Sequence, residues 1–170
     1  TDMDDTIALL SKAGFYHAGQ VCVSVQRVFV EKSIAWELAQ RIAKAGNKMS
    51  IGDPTLPNAD IGPLIRHAET DRIHEWVQEA VSLGAQLITG GEKISDSCYQ
   101  ITVLLNPPDD CTISRNEVFG PVICIYEYEE IDDAIARGVG LFPAGLMPIQ
   151  EAVDFRTKAG WEGIGIFDRI

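Results

Sequence analysis

Cys22 ends the run Phe15-Tyr16-His17-Ala18-Gly19-Gln20-Val21-Cys22, and its setting suits a working thiol. A cysteine kept for packing has no use for a glycine three residues upstream. A nucleophilic one does, because the backbone must come close to the substrate and an N–H must face the oxyanion that forms. The amide of Cys22 itself is the donor this segment can supply.

The run resembles the active-site cysteine segment of the aldehyde dehydrogenase superfamily, with Phe15, Gly19, Gln20 and Cys22 in the matching places. Ser24 stands where the family usually has Ala, Gly, Cys or Asn, and His17 where many members carry Asn. A second segment, Glu117-Val118-Phe119-Gly120-Pro121-Val122, resembles the family's Glu-x-Phe-Gly-Pro motif in the expected order. The resemblance implies that the Cys22 thiolate adds to an aldehyde, that hydride passes to NAD or NADP, and that the thioester left on the sulfur is hydrolysed. It implies that Glu117 binds the nicotinamide ribose, where a carboxylate can accept two hydroxyl bonds. It also implies that Phe119 packs near the nicotinamide ring, and that Tyr16, Val21 and Val23 line the aldehyde pocket, suiting a medium-sized apolar or aromatic aldehyde.

The same resemblance covers nearly the whole chain but only part of a family enzyme. The Leu-Gly-Gly segment with its general-base glutamate and the nucleotide-binding domain normally precede the cysteine, and only Thr1 to Gly14 precede the motif here. The Pro-Phe-Gly-Gly segment and the assembly strand normally follow. Residues 1–170 are therefore expected to form an incomplete catalytic domain with little or no turnover alone, drawn from an enzyme that works as a homo-oligomer. Residues 138–168 match the family less closely than the two motifs do. Two other readings compete. One is a non-catalytic binding or assembly module of the same fold; the other is a cysteine hydrolase pairing Cys22 with His17, disfavoured because such dyads are far apart in sequence.

Composition narrows the partners. A net charge of −11, with 14 basic residues and no basic run, argues against nucleic acid. The four cysteines, Cys22, Cys98, Cys111 and Cys124, show no Cys-x-x-Cys pair and no histidine at ligand spacing, so no metal site is expected. A reactive thiol favours a reducing compartment, and the cytoplasm is the expected location. No leader is expected, and no apolar run approaches the ~20 residues that span a bilayer.

The elements that must carry these residues alternate in type. Ile7, Ala8 and Leu10 after Asp2, Asp4 and Asp5 predict an N-terminal helix leading into the cysteine loop. Gln26 to Val30 predicts a strand, followed by a helix capped by Ser33 with Ile34, Leu38 and Ile42 on one face. Gly52 to Pro63 reads as an ordered loop. Ile73, Trp76, Val77, Ala80 and Val81 mark a further helix closed by Gly84, with His67 and His74 at its surface. Leu87-Ile88, Gln100 to Leu105 and Val122 to Tyr128 read as strands, Asp132 to Arg137 and Ile149 to Lys158 as helices, and Gly163 to Phe167 as a final strand. The alternation implies an α/β fold with a mostly parallel sheet flanked by helices, as in the catalytic domain of the resembling family. One domain is the expectation at this length.

Overall fold

The computed structural model describes residues 2–140. Helix α1, Met3–Phe15, starts as its acidic prelude predicts: the Asp2 carboxylate accepts from the backbone N–H of Asp4 at 2.8 Å and of Asp5 at 3.3 Å. Asp4 and Asp5 sit in the first turn, at the positive end of the helix. Ile7, Leu10 and Phe15 turn inward, whereas Ala8 is exposed. Asp2→Ala should lower stability by about 1 kcal/mol, read as a shifted urea midpoint at unchanged slope.

Strand β1, Arg27–Glu31, runs straight into α2, Lys32–Gly46. Ser33 therefore is not a cap. It lies inside the first turn, and Glu31 occupies the capping position with no side-chain bond. The strand leaves no loop in which a serine could stand ahead of the helix. The buried face is Ala35, Leu38, Ala39, Ile42, Ala43 and Gly46, while Ile34 is 38% exposed. Small residues on that face bring the helix axis close to the sheet.

Next come α3, His67–Ser82, then β2, Gln86–Thr89, and β3, Thr102–Leu105. The short α4, Thr112–Arg115, precedes β4, Val122–Tyr128, and α5 spans Ile131–Gly140. The sheet order is β1-β4-β3-β2. β4 pairs in parallel with both β1 and β3, and β2 is an antiparallel edge. A mostly parallel sheet is thus present, with Arg27 opposite Cys124 and Thr102 opposite Val122. Val122 to Tyr126 are all buried, as expected of a central strand covered on both faces. The expected elements at 149–158 and 163–167 lie outside the described residues. No described helix is long and apolar enough to cross a membrane.

His74 is not a surface residue. It is half-buried, with Nδ1 3.2 Å from the hydroxyl of the buried Tyr99. Its charged sequence neighbours hid the fact that its own position on α3 packs against residue 99. His67 is exposed, as expected.

Candidate active site

α1 delivers the chain into the cysteine segment. After the fully buried Phe15, the backbone passes through three consecutive left-handed residues, His17 (φ 49°), Ala18 (φ 56°) and Gly19 (φ 70°). Only glycine adopts that region without strain, so the first two are held by their surroundings. The third of them meets the second motif. A β-carbon on Gly19 would fall 2.0 Å from the carbonyl oxygen of Gly120, so the two segments meet backbone to backbone. Beyond it, the Ser24 N–H donates to the Val21 carbonyl at 2.9 Å, closing a turn with Cys22 and Val23 at its tip. Cys22 is exposed, Val23 is 82% exposed and Tyr16 55%, whereas Val21 is half-buried. Neither Tyr16 nor Val23 belongs to the core of the described residues.

Gln20 fastens a third piece to this turn. Its amide nitrogen donates to the carbonyls of His17 (3.2 Å) and Pro63 (3.3 Å), and its oxygen accepts from the Ile65 N–H at 2.9 Å. The ordered loop ahead of α3 is thereby anchored beside the thiol segment.

The second motif leads into β4. Glu117 is exposed, Val118 is buried, and Phe119 is 40% exposed at φ 45°, an unusual conformation for a bulky residue. Arg27 donates to the carbonyls of Ser114 and Asn116, both at 2.9 Å, tying the approach to this motif onto the start of β1. Gly120 packs on α3, where a β-carbon would come within 2.4 Å of Ile73 Cδ1. Sequence reasoning passed over Gln26, Arg27 and Arg72 as site-building residues. The signal available was Gln26-Arg27, two polar residues opening an otherwise apolar strand.

Because β1 and β4 are parallel and each motif precedes its strand, both motifs lie at the amino-terminal ends of the sheet. Open α/β sheets more often use the carboxyl ends. At that other end is a cleft of about 450 Å³ lined by residues that include Lys32, Asn106, Asp109 and Arg137; its two cations are already paired with Glu129 and Asp109. It contains none of the motif residues.

The four thiols differ in access. Burial pushes the Cys124 thiol up to about 12, which keeps it protonated and inert. Cys111 is buried beside the Ser114 hydroxyl at 3.3 Å, and Cys98 is half-buried. A chromogenic disulfide should therefore titrate Cys22 first, with Cys111 and Cys124 silent until denaturant is added; early labelling of either would contradict the packing. The His17 ring lies against Tyr16 with centroids 3.9 Å apart, and no hydrogen bond joins it to Cys22. Among the described residues no three His, Cys, Asp or Glu side chains are grouped to hold a metal ion.

Comparison with known proteins shows the family and the fold. The model of the aldehyde dehydrogenase family matches residues 1–138, and the chain belongs to that family. Among curated relatives, a 3-sulfolactaldehyde dehydrogenase of Priestia megaterium is 40% identical over 136 residues, covering 80% of this chain and 28% of the relative. A betaine aldehyde dehydrogenase of Cereibacter sphaeroides is 36% identical over 161 residues, covering 94% of this chain and 31% of the relative. Among solved structures, an NAD-dependent aldehyde dehydrogenase from Sinorhizobium meliloti superposes with a TM-score of 0.77 at 30% identity, over 83% of this chain and 28% of that one. The chain thus spans under a third of the length of these two relatives.

Proposed function

We propose that this chain supplies the nucleophile and the nicotinamide-side contacts of an NAD(P)-dependent aldehyde dehydrogenase. The Cys22 thiolate adds to the aldehyde carbonyl, forming a C–S bond and an oxyanion that the Cys22 N–H stabilises. NAD or NADP, when bound, accepts the hydride that leaves that carbon. Water then attacks the thioester and the C–S bond breaks, releasing the carboxylate and returning the thiolate as two protons pass to solvent. The residues present fit such a cofactor: an accessible carboxylate at Glu117 can accept ribose hydroxyls, and the half-exposed Phe119 ring offers an apolar face beside it. Tyr16, Val21 and Val23 would meet a medium-sized apolar or aromatic aldehyde.

The observation that carries this reading is the Gly19–Gly120 contact, which brings the thiol segment and the carboxylate segment together at the amino-terminal ends of β1 and β4. A hydrolase pairing of Cys22 with His17 gains no support from the geometry. As the test, p-nitrophenyl acetate mimics the acyl-enzyme stage: the thiolate attacks the ester carbonyl and p-nitrophenolate leaves. The 170-residue chain should release a stoichiometric burst and carry the acetyl group on Cys22, with slow release after it. Acetylation that prefers Cys98, or spares Cys22, overturns the proposal.

A further inference from the structure

Gln26 and Arg72 belong to neither motif, yet both end on one peptide residue. Val118 lies between Glu117 and Phe119 and is 1% exposed. Its N–H donates to Gln26 Oε1 at 2.7 Å, and its carbonyl accepts from Arg72 Nη2 at 2.6 Å. Buried backbone groups need partners, and most find them in helices or sheets. Here two side chains from distant elements supply both.

Arg72 is itself braced. Its Nε donates to Glu69 Oε2 at 2.8 Å, and its guanidinium lies 4.3 Å over the Trp76 ring. That guanidinium holds the Glu69 carboxyl below the usual range, so the pair persists at neutral pH and loosens only as acid protonates Glu69. The next residue, Ile73, abuts Gly120. Between these supports Phe119 keeps its left-handed backbone, which a phenylalanine retains only where its surroundings over-determine it.

Resting on the dehydrogenase reading above, we propose that Gln26 and Arg72 are positioning residues that clamp Val118 so that Glu117 and Phe119 meet the nicotinamide riboside half of the cofactor. The buried residue is fixed from two sides, and its two neighbours are left exposed to a ligand. Loss of either clamp frees the peptide to rotate and lets Phe119 relax to negative φ, turning the ring and the carboxylate away together.

The test uses the 170-residue chain, nicotinamide mononucleotide as the probe, and backbone amide resonances as the readout. Residues 117–119 should shift on titration. Gln26→Leu and Arg72→Met should each weaken the response about 10-fold, the scale of one hydrogen bond lost. Gln26→Glu keeps an acceptor and Arg72→Lys keeps a cationic donor, so both should stay within about 3-fold of the parent chain. A merely structural role does not separate Leu from Glu, or Met from Lys. Amide exchange gives a second reading: the Val118 N–H should be protected in the parent chain and lose that protection in Gln26→Leu. Silence of residues 117–119 toward the mononucleotide in the parent chain overturns the cofactor reading and this proposal with it. Equal binding by the parent chain and all four variants overturns the clamp alone, as does an unprotected Val118 amide in the parent chain.

Discussion

Cys22→Ala should reduce aldehyde oxidation on the order of 10⁴-fold or more, the scale of loss when a covalent nucleophile is removed and only binding remains. The measurement needs a complete catalytic assembly. We would graft residues 1–138 into the Priestia relative in place of its matching segment and follow NADH formation with and without the substitution. Cys22 sits exposed at the tip of a turn, so alanine there removes no packed volume and should leave the fold intact. Unfolding midpoints for the two chimeras should coincide while turnover collapses. A folded Cys22→Ala chimera that still oxidises aldehydes at more than about a tenth of the parent rate would mean that the sulfur is not the attacking atom.

Gly19→Ala should be severely destabilising. Its β-carbon would meet the Gly120 carbonyl oxygen at 2.0 Å, with backbone on both sides and no flexible side chain to yield. The φ of +70° adds strain of its own. We expect a loss of about 3 kcal/mol or more, read from denaturant midpoints. Gly52→Ala is the matched control: nothing lies within 4 Å of a β-carbon there, and that variant should stay within about 0.5 kcal/mol of the parent. Thiol labelling of folded Gly19→Ala should also change, because the joint that fixes the Cys22 turn has been forced apart. Equal stability of the two alanine variants would show that the motifs do not touch as described.

Much of this arrangement could be read in the sequence because local chemistry determined it. The acidic start of α1, the apolar period of α3 and the continuous apolar run of β4 each reflect forces acting within a few residues, and each element appears where its pattern predicts. The two motifs were legible through their resemblance to the family's segments. What joins them was not. Gln26 and Arg72 read as ordinary polar residues because their partner is a peptide 92 and 46 positions away, and a side chain's bond to backbone leaves no mark in its partner's identity. Ser33 misled through a sound local rule that the abrupt passage from β1 to α2 overrode. His74 misled because charged neighbours outweighed a face that only the packing of Tyr99 defines.

The parallel pairing of β1 with β4 has a consequence for biogenesis. Residues 27–31 leave the ribosome long before 124–128, their ladder partners, have been made. In that interval β1 has an unmet edge and the thiol turn has no Gly120 to rest against. Contacts this distant in sequence slow the search for the native arrangement and prolong the time during which the nascent chain can stick to others. Chaperone dependence should therefore fall sharply once translation passes β4.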